Sequence, residues 1–208
     1  MLFPSIQEFC DLATAHFSEI TEDRKLILSK IAQYIQAQLD QDKPVQLMYV
    51  CTHNSRRSHF GQVWGAVAAQ YYGIGNVHTS SGGTEATAFN INAINALRRI
   101  GFVVEPNDAA TNPVYTVQYS EQNAVSCFSK RYDDAANPQS DFAAIMTCGD
   151  AEANCPFIPG VQLRIATTYK DPKAFDGTIL QDFKYSERCL QIAVEVLYVF
   201  SLVKNSIK

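Results

Sequence analysis

Apolar residues recur along this chain with two different periods. In residues 1–43 the period is helical. Ile6, Phe9, Leu12, Ala13 and Phe17 form one stripe, and Ser5 with Glu8 fits a capping box ahead of it. Thr21 is placed to cap a second helix, with Glu22 and Asp23 at its positive end. Leu26, Ile27, Ile31, Tyr34, Ile35 and Leu39 continue that helix until Lys43-Pro44 stops it. The expected product is an N-terminal helical extension, a hairpin, preceding a main domain over residues 44–208.

From residue 45 the pattern alternates. Residues 45–50 are a short apolar run, followed by a polar loop and a helical stretch with Phe60, Val63, Val67, Ala68 and Tyr71 on one face and Gly73 as its stop. Residues 76–80 predict a second strand, and 90–100 a helix ending at Gly101. Residues 142–147 and 162–167 predict two more strands, and 183–203 a long amphipathic helix with Tyr185, Cys189, Ile192, Val196 and Val199 on one face. Strand–helix alternation of this kind argues for an α/β domain, a parallel sheet with helices on both faces. Residues 104–138 break the alternation. Pro106, Asn107, Asn112 and Pro113 mark a loop, and 114–119 with 124–129 predict a β-hairpin, so this stretch reads as an insertion.

Composition narrows the function classes. With 47% hydrophobic and 18% charged residues the chain is built to fold, not to stay disordered. A net charge of −4 leaves no basic field to recruit nucleic acid or an acidic membrane surface. The start lacks a basic segment ahead of an apolar one, so no secretory signal is expected and a reducing cytoplasm is the expected compartment. In that setting the six cysteines point to catalysis, redox chemistry or metal binding. Their spacings do not suit zinc, since there is no C-x2-C or H-x3-H pair.

The most informative stretch is Cys51-Thr52-His53-Asn54-Ser55-Arg56-Arg57-Ser58, between a predicted strand and a predicted helix. A cysteine and an arginine six apart are weak as a bare motif, but this setting gives them a chemistry. A loop of this length can curl so that its N–H groups converge on one point, a nest for a tetrahedral oxyanion reinforced by the helix N-terminus. Arg57 can grip two anion oxygens with its planar fork. The same field favours the thiolate of Cys51, to which Ser58 can donate a hydrogen bond.

This loop resembles the C-x-x-N-x-x-R-S loop of the low-molecular-weight protein tyrosine phosphatase superfamily. Ser81–Asn90, SGGTEATAFN, is similar to the region after that family's second strand. The resemblance covers about residues 45–103 and 141–203 and implies a four-stranded parallel sheet. It implies Cys51 as nucleophile, Arg57 as anion clamp, Asn54 as the residue that shapes the loop, and Thr52, His53, Ser55, Arg56 and Ser58 as the rest of the oxyanion cradle. Two positions depart from the pattern. His53 stands where the family usually has Gly, and His is among the residues that tolerate positive φ. Arg56 stands where the family often has Cys, and its added charge either strengthens anion binding or faces solvent.

A second stretch, Cys148-Gly149-Asp150-Ala151-Glu152-Ala153-Asn154-Cys155-Pro156, follows a predicted strand. Strand C-termini of a doubly wound sheet share one edge, where ligands bind, so Cys51 and Cys148 are expected there together. The stretch resembles the redox segment C-G-D-A-x-x-x-C-P of thioredoxin-coupled arsenate reductases, which share the phosphatase fold. That resemblance implies a relay from Cys51 to Cys148 to Cys155, regenerated by a thioredoxin-type protein with no cofactor or metal. It also implies that residues 149–157 move. Lys170-Asp171-Pro172 falls where the superfamily places its general acid, which implies that role for Asp171. Phosphotyrosine phosphatases often follow that dipeptide with two aromatic residues. Here Lys173-Ala174 follow, and Phe175 comes one step later.

Three functions are therefore carried forward: an arsenate reductase with a cysteine relay, a cysteine phosphatase acting on phosphotyrosine or a smaller phosphate ester, and a non-catalytic oxyanion-binding or redox-sensing module.

Overall fold

The computed structural model describes residues 1–108, 110–154 and 157–203. Four parallel strands form the central sheet: β1 (Val45–Cys51), β2 (Val77–Gly83), β6 (Phe142–Met146) and β7 (Val161–Ala166). Their spatial order is β2-β1-β6-β7. The chain leaves β1 toward β2 on one side and later returns to β6 on the other. The order thus reverses beside β1, and a crevice opens outside the strand C-termini at such a point.

β1 is buried on both faces, as its unbroken apolar run requires. Leu47 and Tyr49 join the large core formed with the helices, whereas Met48 and Val50 join a smaller cluster with Phe142, Ala144, Met146, Ala151 and Ile158. The expected helices on both faces are present but unequal. The smaller face is covered by the short helix α5 (Gly149–Asn154) and by the segments around Tyr132 and Ile158.

Helix α3 (Arg57–Tyr71) follows β1. Gly61 and Gly65 let it lie flat on the sheet, because a Cβ at Gly61 would collide with the Tyr49 ring and one at Gly65 would sit 2.9 Å from Thr79 Cγ2. The single apolar face expected of α3 is corrected by the structure. Every residue from Arg57 to Ala69 is buried. Helix α6 (Gln181–Ser201) packs on α3, and the inserted region supplies a further cover, where Gln62 Nε2 donates to Ser126 O at 2.9 Å.

That inserted region also departs from expectation. β3 (Val103–Pro106), read as the start of a loop, pairs antiparallel with β4 (Tyr115–Gln118), which pairs with β5 (Ala124–Cys127). The expected hairpin of β4 and β5 therefore forms, and β3 adds a third strand to it. Pro106 is tolerated because it ends an edge strand, where no partner needs its missing N–H.

At the N-terminus, α1 (Pro4–Thr14) begins with Pro4 in its first turn and has no side-chain cap, so the expected capping box of Ser5 and Glu8 does not form. A 3-10 turn (Ala15–Glu19) leads to α2 (Glu22–Leu39), where Thr21 accepts from Arg24 N as its composition suggests. Such a cap contributes about 1 kcal/mol. Leu12 and Leu26, expected within the apolar stripes, are exposed. Both helices pack on α6, and Ile6, Cys10, Leu28, Ile31 and Ile35 share the large core. Helix α4 (Ile91–Ile100) is capped by Asn90 and ends at Gly101, whose φ of 112° only glycine adopts readily. No helix among the described residues is long and apolar enough to cross a membrane.

Candidate active site

The loop from Cys51 to Arg57 lies at the C-terminal end of β1 and turns directly into α3. Its shape is set by Asn54, whose φ is +44°. Asparagine is among the few residues with a short polar side chain that visit this region. The left-handed position is therefore Asn54 and not His53, where positive φ was considered. The buried Asn54 side chain donates through Nδ2 to Ser58 Oγ at 2.9 Å and accepts from Lys130 N at 2.8 Å. Ser58 Oγ lies 3.1 Å from Cys51 Sγ. Because Ser58 accepts from Asn54, its own hydrogen is free to point at the sulfur.

The outside of the loop is tied down by the β2 extension and the inserted region. Glu85 N donates to Thr52 O at 2.8 Å, and Thr84 N to Cys51 O at 3.2 Å. Ser129 Oγ and Thr87 Oγ1 both donate to His53 O, at 2.9 and 3.1 Å. Gly83 makes this approach possible, since a Cβ there would meet Thr52 O at 2.6 Å and Asn54 N at 2.7 Å. Ser55 Oγ donates to Ala88 O at 2.7 Å, and Asn90 N donates to Ser55 O at 2.9 Å. His53 projects outward, 42% exposed, with Nε2 3.7 Å from Glu85 Oε2.

Two arginines follow, and both are buried. Arg57 donates through Nη1 to Tyr169 O and through Nη2 to Asp171 Oδ2, each at 2.7 Å. Its Nε–H is buried with no hydrogen-bond partner among the described residues. Arg56 does not face solvent. Its Nε donates to Tyr185 OH at 2.9 Å, and its guanidinium lies 3.9 Å from both Asp171 and Asp176. Tyr185 in turn donates to Asp176 Oδ1 at 2.8 Å. Asp171 Oδ1 accepts from Lys173 N and so caps the 3-10 turn Pro172–Phe175. Phe175, the first aromatic after the Asp-Pro pair, has the Lys184 ammonium 5.4 Å from its ring centre.

Cys148 follows β6, the strand beside β1. Its Sγ is 3.3 Å from Thr52 Oγ1, and Cys51 and Cys148 share the smaller apolar cluster. The segment after Cys148 forms α5, with Ala151 N directed at Cys148 Sγ at 3.4 Å. Arg164 Nη2 donates to Glu152 O at 2.6 Å. Cys155 lies outside the described residues. The other three cysteines sit elsewhere in the core, where burial pushes the thiols of Cys10, Cys127 and Cys189 up to about 12. They stay protonated and behave as small apolar groups.

The structure thus brings Cys51, Ser58, Asn54, Arg56, Arg57, Asp171 and Cys148 to one end of the sheet. It adds residues that sequence reasoning left out: Ser129 and Lys130 from the inserted region, Tyr169, Asp176 and Tyr185. Tyr185 was placed on an apolar face. The available signal was its hydroxyl, which needs a partner when buried.

No known family model matches the sequence. Two curated proteins called arsenate reductase are similar to it. The one from Oceanobacillus iheyensis is 28% identical over 133 residues, covering 64% of this chain and 77% of the relative. The one from Halalkalibacterium halodurans is 28% identical over 132 residues, with the same coverage. Among solved structures, one described as an arsenate reductase in the phosphate binding state superposes with a TM-score of 0.52 at 18% identity, covering 77% of this chain and 99% of the other. A low-molecular-weight phosphotyrosine phosphatase from Vibrio cholerae O395 superposes with a TM-score of 0.50 at 14% identity, covering 76% and 95%. The chain thus shares its fold with a solved low-molecular-weight phosphotyrosine phosphatase and a solved arsenate reductase, and its sequence is similar to two proteins called arsenate reductase.

Proposed function

We propose that the protein is an arsenate reductase that uses Cys51 as nucleophile and passes oxidation from Cys51 to Cys148 to Cys155. The observation that carries this reading is the placement of two thiols under one anion loop. Cys51 ends β1, Cys148 follows two residues after the end of the neighbouring β6, and Thr52 Oγ1 lies 3.3 Å from Cys148 Sγ. A disulfide between the two requires their Cα atoms to come within about 7 Å.

In the first step the Cys51 thiolate forms an S–As bond to arsenate, and one arsenate oxygen leaves with protons as water. Arg57 offers its unpartnered Nε–H to the anion, and the loop N–H groups take the remaining oxygens. Asp171, 2.7 Å from Arg57 Nη2, is the carboxyl beside the clamp and is assigned the proton for that leaving oxygen. Anion binding competes for the Arg57 fork, so it frees the Asp171 carboxyl to carry a proton. Next the Cys148 thiolate attacks Cys51 Sγ. The S–As bond breaks, its electron pair stays on arsenic, and As(V) leaves as As(III) arsenite. Cys155 then attacks Cys148, which restores the Cys51 thiolate and leaves a Cys148–Cys155 disulfide. A thioredoxin-type dithiol reduces it by exchange.

The second reading is a phosphatase, favoured by the fact that Cys51, Arg57 and Asp171 suffice for a phosphate ester, with water resolving phospho-Cys51. Against a phosphotyrosine substrate, the Phe175 face is already occupied by Lys184. The test is a parallel assay of arsenate reduction with a thioredoxin system and of aryl phosphate hydrolysis. Arsenite formation that depends on the reductant, at a rate well above ester hydrolysis, supports the reductase. Ester hydrolysis alone supports the phosphatase.

A further inference from the structure

The N-terminal helices lie outside the sheet that carries the site, yet one of their side chains is wired to it. Arg24, in the first turn of α2, donates through Nε and Nη2 to Glu195 Oε2 at 2.9 and 2.7 Å. Glu195 is on α6 and is 5% exposed, so its charge has little water to rely on. The same Oε2 accepts from Tyr169 OH at 2.7 Å. The Arg24 guanidinium also lies 5.0 Å from the centre of the Tyr169 ring. Tyr169 is buried, and its carbonyl is one of the two acceptors that hold Arg57. The other acceptor, Asp171, is two residues further along the same backbone.

We propose that Arg24 is a positioning residue for the anion clamp, acting through Glu195 and Tyr169 to fix the backbone that aims Arg57 and carries Asp171. This rests on the reading of residues 51–58 as an oxyanion loop. The physical reason is the chain of constraints. A buried carboxylate without its arginine is strongly destabilised, and it relaxes by moving or by drawing in water. Either response releases the Tyr169 hydroxyl. The Tyr169 ring then keeps only its packing and its hydrogen bond with Thr167, and the carbonyl loses one of the constraints that aim it, although the Tyr169 N–H still donates to Thr147 O at 3.1 Å. A guanidinium fork needs both acceptors in plane to keep its orientation. Burial and the neighbouring Glu195 push the Tyr169 hydroxyl well above the ordinary phenol range, so it stays protonated and remains a donor in this chain. On this account the helical extension does more than cover α6. It sets the geometry of a residue on the far side of that helix.

The test uses the full chain and inorganic phosphate as probe. Phosphate protection of Cys51 against alkylation reports anion binding without any turnover, and is measured for wild type, Arg24→Gln, Arg24→Lys, Tyr169→Phe and the Arg24→Gln/Tyr169→Phe double variant, with thermal midpoints alongside. Arg24→Gln and Tyr169→Phe should each weaken protection by about tenfold, the scale of one charge-assisted hydrogen bond. The double variant should be little worse than either single one, because both cut the same connection. Arg24→Lys, which keeps the charge but not the fork, should fall between wild type and Arg24→Gln. Tyr169→Phe keeps the bulk of the ring, so it tests the connection even if Arg24→Gln fails to fold. Unchanged protection in the single variants, whatever happens to the midpoints, would overturn the proposal, as would single effects that simply multiply in the double variant. No protection in the wild type would overturn the oxyanion-loop reading and this proposal with it.

Discussion

Asn54 is the residue on which the loop turns. Its side chain serves Ser58 and Lys130 at once while its backbone holds a positive φ. Asn54→Ala should cost about 1–3 kcal/mol, because the Lys130 N–H is left buried without an acceptor. Chemical denaturation measures that loss, and aryl phosphate hydrolysis should fall with it as Ser58 loses its orientation. His59 gives a second prediction at this scale. It is fully buried, with Nδ1 3.1 Å from Ser81 Oγ, and burial followed by the Lys130 charge lowers it to about 3. The unfolded chain therefore binds a proton near pH 6.5 that the folded chain refuses. Stability is intact above that pH and falls as pH drops from about 6.5 toward 3. His59→Gln should flatten the pH dependence of the unfolding midpoint between pH 6.5 and 5, above the main carboxylate range. At this scale the sequence was legible where chemistry dictated residue type, as in Cys51, Asn54, Arg57 and Ser58. It was not legible where a side chain's role depends on what folds against it. Arg56 meets Tyr185 and Asp176 only because α6 and the 3-10 turn close over the loop.

Among the elements, α3 shows how a site is held in place. Its N-terminus sits over the end of β1 because the helix can lie on the Tyr49 ring through Gly61. Gly61→Ala should destabilise the protein by about 1–3 kcal/mol or more through overpacking of a core with no room to relax. Gly73→Ala, at a φ of +66° with no atom within 4 Å of the new Cβ, should cost about 1 kcal/mol through backbone strain alone. The ratio of the two thermal shifts checks the argument. The strands β1 and β6 were readable as short apolar runs, and β2 and β7 by their place in the alternation with helices. β3 was not. Four residues ending in proline carry no alternation, and only pairing with β4 makes them a strand. The capping box of Ser5 and Glu8 failed for a similar reason, since the helix starts at Pro4, two residues earlier than a Ser5 cap would set it.

For the whole molecule, the additions to the sheet make contacts that lead to the candidate site. The inserted region supplies Ser129 and Lys130, which buttress the loop, and the N-terminal helices reach Tyr169 through Arg24 and Glu195. Neither connection leaves a mark in hydrophobic patterning, because each is made by a few polar atoms across elements distant in sequence. The pair of Cys51 and Cys148 differs, because the alternation of strands and helices already places both at one sheet edge, and the strand order makes them neighbours. Their joint use is the central claim. It is tested by mixing Cys155→Ser protein with arsenate in the absence of a reductant, then counting arsenite and mapping disulfides by mass spectrometry. The account predicts one arsenite per chain and a disulfide between Cys51 and Cys148. Arsenite release without that disulfide, or none at all from a protein whose Cys51 still binds phosphate, would contradict it.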